Sequence, residues 1–156
     1  LPKLKNDIKF GVAYNPYFTE KNDISLERDN LIKKVNSGLV NSIWLQFGSN
    51  LKGLNREIKF IKKNIKDQSN PFKREIKLYG SILVPSKQFL ARFRFRPWKG
   101  VYLTPEFLNS LEFSISITKE IYNIYRENNI TPLIETECFT IKQFNELKNL
   151  FPDILI

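Results

Sequence analysis

Val40-Asn41-Ser42-Ile43-Trp44-Leu45-Gln46-Phe47, followed after Gly48-Ser49-Asn50 by a segment carrying Leu51, Leu54, Ile58, Ile61 and Ile65, decides the fold class. The first stretch is a nearly continuous apolar run broken by Asn41, Ser42 and Gln46. It reads as a strand covered on both faces, with Trp44 in the core. In the second, apolar residues recur at spacings of three and four, the period of an amphipathic helix. A strand feeding directly into such a helix is the first half of a β-α-β unit.

The same alternation extends in both directions. Upstream, Ile8 to Tyr14 is a short apolar run that stops at Asn15-Pro16, and Ser25 reads as the cap of a helix running to about Ser37. Glu27 stands in the first turn of that helix, Lys33 and Lys34 in the last, and Gly38 just beyond, while Leu31 and Val35 share its inner face. Downstream, the polar stretch Lys66 to Glu75 reads as a loop and Ile76 to Val84 as a third strand. A helix started by Ser86 must stop near Pro97. Val101-Tyr102-Leu103 is short and extended. Thr104-Pro105-Glu106 then opens one long helix that carries Leu108, Leu111, Ile115, Ile121 and Ile124 inward. The fourth strand lies near 131–137. Thr140 and Gln143 form a capping box on a last helix whose Ile141, Phe144 and Leu147 face the core. The four β/α units predict a parallel α/β sheet with right-handed crossovers, with strands near 8–14, 40–47, 76–84 and 131–137 in one domain over 1–156.

Composition narrows the chemistry. The 156 residues include 42% hydrophobic and 13% aromatic side chains, enough to bury a core. No apolar run approaches the roughly 18 residues that span a bilayer, so no membrane role is expected. One cysteine, Cys138, excludes an intramolecular disulfide, and with no histidine neither a zinc site nor a His-based triad is expected. The setting expected is a soluble, reducing cytoplasm. The chain contains no methionine and begins at Leu1, which points to a fragment or a processed chain. The formal charge of +9 favours anionic partners. No glycine-rich phosphate loop follows any strand, which disfavours a Rossmann or P-loop nucleotide site.

Five short motifs, in order, carry a resemblance. Phe10-Gly11-Val12-Ala13-Tyr14-Asn15-Pro16 is similar to a small-residue strand ending in Tyr-Pro, and Glu27 to Gly38 to a helix of the form D-x-x-N-L-x-x-K-V-x-A-G. Ile43-Trp44-Leu45-Gln46-Phe47 is similar to I-x-T-Q-F, Gly80 to Pro85 to a G-I-L-P strand end, and Gly100 to Pro105 to G-V-x-I-P before a long helix. Together they resemble the C-terminal half of the (β/α)8 TIM barrel of the methylenetetrahydrofolate reductase family. The resemblance implies an FAD-dependent oxidoreductase fold of one-carbon metabolism. In it, flavin takes hydride from NADH or NADPH and passes it to a folate. Position by position, Asn30 and Lys34 match residues that contact FAD, Glu27 stands where an aspartate is usual, and Lys33 adjoins them. Gln46 matches the glutamine that hydrogen-bonds the pterin, at the strand end where barrel sites lie. Phe93 matches an aromatic beside the substrate.

The chain also departs from the family. Tyr14-Asn15-Pro16 replaces Tyr-Pro, the last strand reads Glu135-Thr136-Glu137-Cys138 instead of a Tyr-Thr-Leu-Asn type segment, and Gln46 is followed by Phe47-Gly48-Ser49. The strands that carry the family's acidic proton donor have no counterpart, so no catalytic residue and no metal ligand is assigned. A half-barrel leaves two edges and an open interior. A homodimer or a complementing N-terminal half is therefore expected, and activity alone is not.

Each of these residues also has a plainer reading. Lys33 and Lys34 can complement the helix dipole, Glu27 and Asn30 can form a solvated face, and Gln46 can satisfy neighbouring backbone. The alternative from another class is a non-catalytic basic module for nucleic acid or another polyanion, suggested by Arg92-Phe93-Arg94-Phe95-Arg96-Pro97-Trp98-Lys99. A helix through that run puts Phe89, Leu90 and Phe93 on a core face and the arginines outside, which argues against a nucleic-acid partner. Glu135 and Glu137 alternate along the last strand and could do acid-base work or sit on the surface.

Overall fold

The computed structural model describes residues 8–66, 75–137 and 140–151. Cys138 and most of the 66–75 segment lie outside the described residues. Four parallel strands, β1 (Phe10–Tyr14), β2 (Val40–Leu45), β3 (Lys77–Leu83) and β4 (Thr131–Glu135), lie side by side in chain order. Between them run α1 (Lys21–Asn36), then α2 (Leu51–Ile61) with a single π-helical turn at Lys62–Lys66. After β3 come α3 (Lys87–Phe95), the short α4 (Pro105–Asn109) and α5 (Leu111–Glu127), and α6 (Ile141–Leu150) follows β4. The α/β class, the four strands and their parallel order agree with the alternation in the sequence.

One face of the sheet carries the core. Ile43 and Leu45 of β2, with Leu78 and Ile82 of β3, pack against Leu31 of α1, Leu54, Ile58 and Ile61 of α2, and Ile121 and Tyr125 of α5. Each such side chain contributes about 1.5–3 kcal/mol by leaving water. At Gly80 a Cβ atom would lie 2.3 Å from the Tyr125 ring, so only glycine lets this tyrosine lie flat on β3. Asn50 caps α2 by accepting from the Gly53 N–H (3.0 Å), and Ser86 caps α3 by accepting from the Phe89 N–H (3.0 Å). The capping box at Thr140 and Gln143 is formed.

Among the described residues β4 is an edge strand, and Pro132 is placed to suit it. The Glu135 carbonyl accepts from the Val84 N–H (2.9 Å), so Glu135 points its backbone at β3. Backbone groups alternate sides along a strand, so Pro132, three residues earlier, faces the free edge, where its lost donor costs no ladder bond.

Several expectations are corrected. Among the described residues β2 is covered on one face, not both, and Trp44 is 43% exposed rather than in the core. The parity of the strand explains it: Ile43, Leu45 and Phe47 share one side, Ser42, Trp44 and Gln46 the other. Helix α1 begins at Lys21 with Glu20 at its cap position, so Ser25 lies inside the helix. The long helix expected after Thr104 breaks at Ser110, whose extended backbone (φ −135°, ψ 122°) ends α4 and whose side chain caps α5. Ile141 is 81% exposed; Leu147 and the half-buried Phe144 turn inward from α6 instead.

Candidate functional site

Among the described residues no helix covers the second face of the sheet, which is built from the alternate residues of each strand. In-register pairs Gly11 with Ser42, Ala13 with Trp44, Ser42 with Lys77 and Trp44 with Tyr79 line up across β1, β2 and β3. The Trp44 and Tyr79 rings stack with centroids 4.8 Å apart and planes 27° from parallel. The indole Nε1–H donates to Ser42 Oγ (2.9 Å), fixing the ring across β1. A Cβ on Gly11 would stand 2.5 Å from that nitrogen, so the glycine makes room for the indole. Above these residues lies an open groove of about 680 Å³, flanked by Lys9, Lys77 and Glu75. Small residues, stacked rings and a mixed rim suit a wall that packs against further structure.

The C-terminal strand ends form a second, more polar zone. Asn15 is fully used: its N–H donates to Glu27 Oε1 (2.8 Å), its Nδ2 donates to the Gly100 carbonyl (2.8 Å), and its Oδ1 accepts from the Tyr17 N–H (3.0 Å). Gly48 and Tyr102 form an isolated parallel bridge, with the Ser49 N–H donating to the Tyr102 carbonyl (3.1 Å) and the Thr104 N–H to Ser49 Oγ (2.8 Å). Gln46 projects from the end of β2. It is exposed, its Oε1 accepts from the adjacent Phe47 N–H (3.1 Å), and its amide nitrogen makes no hydrogen bond among the described residues.

Of the residues singled out in the sequence, the structure brings Glu27 to the end of β1, where its carboxylate holds the Asn15 turn. Asn30 lies half-buried midway along α1, and Lys33 and Lys34 are exposed in its last turn. Because α1 returns from the end of β1 to the start of β2, those lysines sit at the opposite end of the sheet from Gln46. Phe93 is 4% exposed and packs among Phe89, Phe107 and Trp98, a core position at the sheet's C-terminal end. Glu135 and Glu137 are both exposed, and Glu137 pairs with Arg92. Among the described residues, no group of acidic or thiol side chains could hold a metal, and no helix is long and apolar enough to cross a membrane.

The strongest electrostatic cluster escaped the sequence reading. Glu57 of α2 is buried and accepts from Tyr14 Oη (2.5 Å), from Arg28 through Nε and Nη2 (both 2.8 Å), and from Arg56 Nε. Burial alone would raise the Glu57 carboxyl, but hydrogen bonds from Arg28, Tyr14 and Arg56 overcome it and hold it below the usual carboxylate range. Burial, then the bond to Glu57, pushes the Tyr14 phenol well up, and the guanidinium's own hydrogen bonds to Glu57 raise Arg28. A neutral phenol and a locked carboxylate have no proton to exchange near neutral pH. The cluster ties β1, α1 and α2 together. Its signal in the sequence is a glutamate at position 57, on the apolar stripe between Leu54 and Ile61. No family model matches the chain, and no curated protein matches it either.

Proposed function

We propose that the chain is the C-terminal half of a (β/α) barrel of the methylenetetrahydrofolate reductase kind. Its uncovered face would then be the inner wall of a chamber completed by another half. The observation that carries this reading is the face that no described helix covers: a parallel sheet in chain order, helices packed on one side, and Trp44, 43% exposed, stacked on Tyr79 on the other. Barrels close such faces with layered side chains from the remaining strands and place their ligands at the C-terminal strand ends.

The fit to a flavin and folate is uneven along the chain. Gln46 suits a pterin, because its exposed amide can donate to a ring carbonyl or accept through its oxygen. Glu27 is already engaged by Asn15, and Lys33 and Lys34 stand away from Gln46. Helix α1 therefore makes the weaker match to the FAD contacts the resemblance assigns there. Bound flavin would supply hydride transfer; this chain would supply the wall, the substrate contact at Gln46 and exclusion of water. The test is titration with FAD, for the chain alone and with an N-terminal reductase half supplied in trans. Saturable binding that strengthens with the complementing half supports the reading. A chain with no affinity for FAD in either setting overturns it.

A further inference from the structure

The segment Arg92–Lys99 presents two aromatic rings to solvent beside a row of cations. Phe89 and Phe93 are buried, as a helical core face requires, but Phe95 at the end of α3 is 92% exposed and Trp98 is 52% exposed. Trp98 is held from beneath, edge-on to Phe89 (5.6 Å) and Phe93 (6.1 Å), so its outer face is presented by a packed support. Phe95, Trp98, Arg92 and Arg96 line a groove of about 250 Å³. Arg92 is neutralised by Glu137, and Arg94 Nε reaches the Leu90 carbonyl (3.4 Å). Arg96 makes no ion pair among the described residues, and Lys99 is exposed beside it. Cations at a helix C-terminus are ordinarily explained by the dipole. The dipole does not explain a fully exposed phenylalanine and a propped tryptophan between them.

We infer that this corner binds single-stranded nucleic acid. Bases would stack on Phe95 and Trp98, and Arg94, Arg96 and Lys99 would contact the phosphates. A concave slot between rings suits a flat base, and the net charge of +9 supplies the long-range attraction. The site uses none of the sheet face that would line the barrel chamber, and it adjoins the C-terminal strand ends through Gly100, whose carbonyl accepts from Asn15.

Fluorescence anisotropy of a labelled dT oligonucleotide of about 12 nucleotides tests it with the whole chain. At low salt, saturable binding is expected, with a log–log salt slope of about −2 from three phosphate contacts at about 0.7 each. Arg94→Ala/Arg96→Ala should cut the slope by about 1.4, for two lost contacts at that value. Phe95→Ala should weaken binding about 5- to 150-fold, the range for losing one stacked base, with little change in slope. Phe95 is exposed, so this variant is expected to fold. A double change of exposed lysines on other helices, Lys59→Ala/Lys119→Ala, should leave affinity within about twofold. Equal losses in that control, an unaffected Phe95→Ala, or retention only on vesicles of anionic phospholipid would each overturn the proposal.

Discussion

Replacing Glu57 by glutamine removes the one negative charge in a buried cluster while keeping its shape. Arg28 would lose its bidentate partner and Tyr14 its acceptor, and Arg56 would be left beside a neutral amide. Breaking a buried pair by neutralising one partner costs about 3–5 kcal/mol. Here Arg28 is 30% exposed and Arg56 42%, so both can turn partly toward water. The expected loss is accordingly lower, about 2–3 kcal/mol at pH 7. Urea unfolding followed by circular dichroism measures it. The pH dependence sets the sign. The folded carboxyl titrates below its unfolded value of about 4.3, so its contribution is present above that value and fades as pH falls through the folded one. The gap between wild type and Glu57→Gln should therefore begin to close as pH falls past about 4.3 and disappear only below the folded value. A difference under about 0.5 kcal/mol at pH 7, or one that persists unchanged to pH 3, would refute the assignment of Glu57 as an ionised anchor.

Three other outcomes follow from the packing. Gly80→Ala should destabilise by about 1–3 kcal/mol in the same urea assay, because the new Cβ displaces a buried Tyr125 ring. Ser110→Ala removes the acceptor for the Phe113 N–H (3.1 Å) and should cost about 1 kcal/mol, with faster amide exchange confined to the start of α5. Tyr14, Tyr17 and Tyr125 all have phenols raised by burial, so their stabilisation is complete below the unfolded value of about 10 and lost as pH rises beyond it. Unfolding near pH 11 should be steeper than one exposed tyrosine gives, which a spectrophotometric titration at 295 nm checks.

The order of elements was legible because each rests on local chemistry: apolar runs, caps at Ser86, Thr104 and Thr140, and punctuation at Asn15-Pro16 and Gly38. Two local errors share one cause. Ser25 looks like a cap but is overridden by the path of α1, and Ser110, an unremarkable serine, ends α4 because the chain turns there. Trp44 lies outside the core because a nearly continuous apolar run does not show that its parity is shared with Ser42 and Gln46. The Glu57 cluster joins residues 14, 28, 56 and 57 across three elements, a convergence that no single stretch displays. Gln46 was placed at a strand end by both the sequence and the structure, whereas the distance of Lys34 from it follows only from the direction of α1.

The proposal of a barrel half with a folate contact at Gln46 is tested most directly by one titration. Binding of 5-methyltetrahydrofolate would be measured by quenching of tryptophan fluorescence, with FAD and the complementing half present, for the wild type and for Gln46→Ala. Saturable binding is expected, weakened about 5- to 10-fold in Gln46→Ala by loss of about 1 kcal/mol of hydrogen bonding. Equal affinity for the two proteins, or no binding by either, would contradict it.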